Sequence, residues 1–240
     1  MKTIVRISLA AVAVAVFANA ASAQLANVPV YTSPAGYQGL LIAGGVGLGI
    51  NDDAKFAASS PLAYGGAVGY GTKMFNIRAM VAQLNTKDDL GLGKEIEFGG
   101  QVGVTVMNKE ASPLAVNVFG GLGYVKFDNN ANDFKVMSIP AGVGLGFKVP
   151  SSSVAITPWV APRGQMNMYS SGGLSASQIG FGVSGGVGVN MPMGLGFHAA
   201  LDWSTFSEKT GTDLGTLPKA SPLVFGAGVH YIFKTPGGAM

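Results

Sequence analysis

Few side chains in this 240-residue sequence are equipped for chemistry. There is no cysteine, which excludes thiolate chemistry, and there are two histidines, His198 and His230. Other ionisable groups within regularly alternating segments include Arg78, Glu95, Glu97, Arg163 and Asp202. Neutral imidazoles ligate transition metals and titrate near neutrality, so a histidine pair could form a metal-binding or proton-sensitive constriction. It could equally be a polar pair solvated by water, and this plainer reading is preferred, with no metal, cofactor or catalytic group assigned. Which of these groups meet depends on the elements that carry them.

Charged residues make up only 11% of the chain, against about 25% in an ordinary soluble domain. That shortage argues against a water-facing exterior. At the N-terminus Lys2 and Arg6 precede an apolar run over 7–17, and Ala21-Ser22-Ala23 supplies small residues before Gln24. This is the pattern of a secretory signal peptide, so residues 1–23 are expected to be cleaved. Without Lys2 and Arg6 the remainder holds 13 basic and 12 acidic residues, and the formal charge falls from +3 to +1. A nucleic-acid partner is therefore not expected. Export without cysteine also rules out disulfide stapling.

The dominant signal after residue 36 is alternation with a period of two, the mark of a strand with two different faces. Leu40, Ile42, Val46, Leu48 and Ile50 share one parity, while Leu41, Ala43, Gly45, Gly47 and Gly49 share the other. Glu95, Glu97, Gly99, Gln101 and Gly103 likewise oppose Ile96, Phe98, Val102 and Val104. Ten strands are predicted, at about 38–50, 62–72, 75–84, 95–107, 114–126, 135–148, 153–163, 178–190, 194–204 and 222–233. Short turns between them alternate with longer connections at 51–61, 85–94, 127–134, 164–177 and 205–221, as in membrane barrels.

The expected fold is an all-β, transmembrane, antiparallel up-and-down barrel over 37–233. It is preceded by an extended periplasmic segment over 24–36 and followed by a tail over 234–240. Eight strands are the alternative, because Pro140, Pro158 and Pro162 fall inside the sixth and seventh segments, where each removes a ladder donor. Gly45, Gly47, Gly103, Gly144, Gly186 and Gly228 should point inward. On the bulky parity, Tyr64, Phe98, Tyr124, Phe181, Trp203 and Phe225 cluster towards the long connections. Tyr70, Phe75, Phe147, Phe197, Tyr231 and Phe233 cluster towards the short turns, so the aromatics form two girdles.

The last strand, with Gly226, Gly228, Tyr231 and Phe233, resembles the C-terminal recognition signal of bacterial outer-membrane β-barrel proteins, and the whole chain after residue 23 is similar to a small porin-like or OmpA-like barrel of that superfamily. It departs from the pattern in continuing through 234–240. The resemblance implies residence in the outer membrane among its lipids and lipopolysaccharide. It also implies insertion by the barrel-assembly machinery through Gly228, Tyr231 and Phe233, and a monomeric state.

Arg78, Glu95, Glu97, Arg163, His198, Asp202 and His230 all carry inward parity and are expected to line the lumen. If residue 204 pairs with 224, then His198 lies directly opposite His230. Asp202 and His198 invite comparison with the ten-stranded omptin proteases, but His198 falls low in the barrel, away from the mouth where such groups act. A lipid-hydrolysing barrel would need a lipid-facing histidine, and both histidines face inward. The expected function is thus a narrow porin-like channel or small-solute conduit through a glycine-lined lumen. The alternative is a non-conducting structural or adhesion barrel acting through its extracellular loops.

Overall fold

In a computed structural model of the chain, the described residues are 36–55, 62–85, 94–107, 113–127, 133–149, 151 and 154–234. The expected signal peptide, the lead-in up to residue 35 and the tail from residue 235 lie outside them. The strands are β1 Gly39–Gly49, β2 Leu62–Gly71, β3 Phe75–Asn85, β4 Lys94–Met107, β5 Leu114–Phe127 and β6 Phe134–Phe147. They continue with β7 Ala155–Ser171, β8 Leu174–Asn190, β9 Leu195–Phe206, β10 Lys209–Thr212, β11 Gly215–Leu217 and β12 Leu223–Phe233. A single helical turn, α1 Asp52–Lys55, follows β1.

Ten of these strands, β1 to β9 and β12, form a closed barrel with each strand antiparallel to its neighbours in the chain. Closure comes from β12 pairing with β1, from Leu40 opposite Phe233 to Gly49 opposite Val224. No sheet edge is left, so the backbone amides of the wall bond within it and can sit in hydrocarbon. The bulky parity faces out: Phe98, Val102 and Val104 are each more than half exposed, while Glu97 and Gln101 on the other parity are buried. Gly45, Gly47, Gly103, Gly144, Gly186 and Gly228 sit on the inward parity, as their alternation requires.

The prolines leave their marks as local gaps. Pairing between β5 and β6 skips the steps around Pro140, and pairing between β6 and β7 skips those around Pro162, with the register unchanged on either side. The ladder opens there without a bulge, so the ten-strand count holds. Among the described residues, the register of the wall shifts at the end of β4, where Met107 rather than Val106 pairs with Val116.

The upper wall differs from expectation in two places. Residues 164–177 are not a loop, because β7 and β8 run on as a tall hairpin through Ser171 opposite Leu174. Its two-residue turn is Gly172-Gly173, both with positive φ (56° and 83°), which glycine adopts without a Cβ clash. Within 205–221, β9 extends to Phe206 and β10 pairs with β11 as a second, small hairpin. In both places a turn rich in glycine allows strand pairing to continue beyond the apolar band.

Candidate functional site: the filled lumen

Chains with so many inward glycines suggest an open bore, but here the glycines receive side chains from neighbouring strands. A Cβ on Gly182 would lie 2.8 Å from Cζ of Arg163, and one on Gly142 would lie 2.8 Å from Cζ of Phe119. Gly180 is covered in the same way by the ring of Phe206, and Gly103 by the amide of Asn117. These four glycines are slots for large neighbours, so this part of the interior packs across the strands. At these four positions the space left by the missing side chain is taken by a neighbouring residue.

At the foot of the barrel Tyr37 turns inside, 7% exposed, with its ring against Gly71 and its hydroxyl over Gly69. That hydroxyl donates to the carbonyl of Ile77 at 3.2 Å and lies beside the Arg78 guanidinium. Burial pushes the Tyr37 hydroxyl above its ordinary range, and the positive charge of Arg78 draws it partly back. Gly36 passes close to Thr105 on β4, three strands along the wall from β1.

Above Tyr37 stand the two histidines, brought together as expected but in a different register. Residue 228 pairs with 198, and residue 230 with 196, so His198 and His230 are diagonal neighbours. Their rings stack at a centroid separation of 5.8 Å and an interplanar angle of 24°. The physical reason is the pair of facing glycines: His198 lies over Gly228 and His230 over Gly196, so both flat rings fit where direct opposition would collide. His230 Nε2 is 2.7 Å from Oδ1 of Asn190. Arg78 is within electrostatic reach of both rings, which does not favour a cation between them.

The middle of the lumen is crossed by Arg163. Its Nη2 donates to Oδ1 of Asp202 at 2.8 Å, and its Nη1 donates to the Ser184 hydroxyl at 2.7 Å. Ser184 in turn donates to Oδ2 of Asp202 at 2.5 Å. Phe119, Trp159, Ala161 and Ala200 pack together nearby as an apolar layer. Glu97 is buried on the upper wall of β4, and Glu95, one step nearer the mouth on the same face, is partly buried.

A chain of hydrogen bonds climbs the inner face of β7, and sequence reasoning missed it because 164–177 reads as a polar loop. Gln165 donates to Ser138 at 3.0 Å and to Asn167 at 2.8 Å, Asn167 donates to the Tyr169 hydroxyl at 3.2 Å, and Tyr169 donates to Gln178 at 3.2 Å. Gln178 then donates to the carbonyls of Ser207 and Pro218, pinning both ends of the segment that carries the β10–β11 hairpin. The strict alternation of Gln165, Asn167, Tyr169 and Ser171 before Gly172-Gly173 is the signal that could have revealed it. Leu217 of β11 is buried in one apolar cluster with Val125, Phe127, Phe134 and Val136.

The closed ten-stranded wall and lipid-facing exterior define the class: this is a membrane β-barrel with the architecture of bacterial outer-membrane barrels. Its fold is similar to outer membrane protease OmpT from Escherichia coli, with 10% identity, a TM-score of 0.43 and coverage of 81% of this chain and 94% of that one. LpxR from Salmonella typhimurium gives 8% identity and a TM-score of 0.43 over 81% of this chain and 100% of that one. The N-terminal β-barrel domain of Pseudomonas aeruginosa OprF gives 16% identity and a TM-score of 0.40 over 82% of this chain and 99% of that one. No protein-family model and no curated protein matches the chain.

Proposed function

We propose that the protein is a non-conducting outer-membrane barrel that acts at the cell surface through its β7–β8 and β10–β11 hairpins. The observation that carries this reading is the stack of obstructions along the lumen: Tyr37, the histidine pair, Trp159 with Phe119, the Arg163–Asp202 bridge and Leu217. A conduit needs a continuous polar path, and here Tyr37, His198, His230, Phe119 and Arg163 are each seated on a neighbour's glycine. The expected porin-like channel is therefore the less supported of the two sequence-based readings.

The same reading assigns export by residues 1–23 and assembly through Gly228, Tyr231 and Phe233. In support, the Tyr231 and Phe233 rings stand edge to face at 4.7 Å on the outward side of the last strand. It assigns a monomer embedded in outer-membrane lipid. It assigns no catalytic step, because the Ser184 hydroxyl is held by a carboxylate that Arg163 neutralises, and the histidines lie far below the mouth.

The test is conductance in planar bilayers with protein whose folding is verified by its heat-dependent gel shift. Silence is expected at all applied potentials. Discrete, reproducible steps from the folded protein would restore the channel.

A further inference from the structure

On the inner face near the foot of the barrel, four polar side chains from three adjacent strands form one patch. Arg78 on β3 stands directly opposite Gln101 on β4, and the two residues are only 3% and 6% exposed. One inward step lower, Asn76 and Asn117 meet over Gly103, where a Cβ would lie 3.0 Å from the amide nitrogen of each. Gly121, opposite Gln101 on β5, has no side chain to occupy the space beside it. Arg78 also lies beside the Tyr37 hydroxyl and within electrostatic reach of His198 and His230.

Three atoms in and beside this patch, Nδ2 of Asn117, Oε1 of Gln101 and Nδ1 of His230, are buried without a hydrogen-bond partner among the described residues. Each belongs to a residue more than nine-tenths buried. Buried polar atoms are normally paired, so these three mark where a partner from outside the chain fits. Their polarities are mixed: Asn117 Nδ2 is a donor and Gln101 Oε1 an acceptor. His230 Nε2 faces the amide oxygen Oδ1 of Asn190 at 2.7 Å, so Nε2 carries the hydrogen and Nδ1 presents a lone pair. The inward carboxylates are engaged or further up the wall. Asp202 is bound to Arg163, and Glu97 stands four residues up β4 from Gln101, roughly 13 Å along the strand, with its Oε1 near Gly123.

We infer that this patch is a binding site for a small oxyanion of the phosphate class, one that keeps a hydrogen near neutrality. Its charged oxygens accept from Asn117 Nδ2 and from Arg78, whose five N–H donors can hold an ion as well as Tyr37. One P–OH group donates to Gln101 Oε1, and a second reaches His230 Nδ1 directly or through one water. Chloride and sulfate supply charge but no hydrogen, so they leave both acceptors unmet. A metal cation would use the two acceptors but meets the charge of Arg78. The site lies at one end of the lumen, so it stands whether or not the lumen conducts.

The experiment is a calorimetric titration of the folded, detergent-solubilised full chain with inorganic phosphate and with sulfate. Saturable phosphate binding is expected, at least about tenfold tighter than sulfate binding, because a buried acceptor rejects a ligand that brings it no hydrogen. Asn117→Leu should weaken phosphate binding at least about tenfold, and Gln101→Leu should lose most of the preference over sulfate. Lys209→Ala, on β10 at the other end of the barrel, should change neither. A heat-dependent gel shift verifies the fold of each variant. No saturable phosphate binding by the folded wild type overturns the site, as does full affinity in folded Asn117→Leu. Equal affinity for phosphate and sulfate overturns the assignment to a hydrogen-bearing ion. Glycerol phosphate separates the sources: binding as tight as that of inorganic phosphate supports a phosphate ester as the occupant, and weaker binding supports the free ion.

Discussion

Arg163 and Asp202 meet at 2.8 Å in mid-lumen although their strands do not touch, with side chains 2% and 8% exposed. The intervening strand contributes Ser184, which accepts from the arginine and donates to the carboxylate, so three adjacent strands are tied at one level. Removing one charge from such a pair leaves the other buried without compensation.

Arg163→Met should therefore destabilise the barrel by about 3–5 kcal/mol in reversible urea unfolding from lipid vesicles. Asp202→Leu should cost a similar amount, whereas Arg163→Met/Asp202→Leu together should recover most of the loss. A double variant as unstable as the sum of the single ones would show that the pair is not the coupling unit.

The histidine slot makes a second prediction. A methyl group on Gly196 would collide with the His230 ring and stand 2.8 Å from Oδ1 of Asn190. Gly196→Ala should cost about 1–3 kcal/mol, as other overpacking changes do. In a His230→Ala background the same substitution should cost less, by at least about 0.5 kcal/mol, because the two sites share one space. The measurement is a double-mutant cycle by chemical denaturation, and strict additivity would reject the shared slot.

Tyr37 supplies a pH dependence. Its hydroxyl is raised above the ordinary 10.0 by burial, so the fold favours the protonated phenol. The stability this provides is intact below the unfolded value and is lost as pH rises through the higher folded value. Wild-type unfolding midpoints should fall more steeply above about pH 10 than those of Tyr37→Phe, which has no group to ionise there. Parallel curves for the two proteins would remove Tyr37 as the source of this pH dependence.

Much of the fold is legible in the chain because a period of two decides which face each side chain takes. Arg78, Glu97, Arg163, His198, Asp202 and His230 are all buried, on the parity opposite the exposed apolar side chains. The lipid exterior enforces this separation, since a slip of one residue would turn every apolar side chain inward. The tall β7–β8 hairpin was less legible only because its polar composition outweighed a Gly172-Gly173 turn and an unbroken alternation.

Parity says nothing about height or partner, and those decided the rest. A two-residue difference in the pairing of β9 with β12 preserves every face, yet it turns an opposed histidine pair into a diagonal stack seated on Gly196 and Gly228. The Arg163–Asp202 bridge, Tyr37 below and Leu217 above likewise depend on which residues share a level across strands far apart in the chain. The sequence by itself determined a barrel with a lipid-facing and a glycine-rich face. Only the tertiary structure decided which neighbouring side chains Gly103, Gly142, Gly182, Gly196 and Gly228 receive, because that depends on the register and stagger by which the sheet closes.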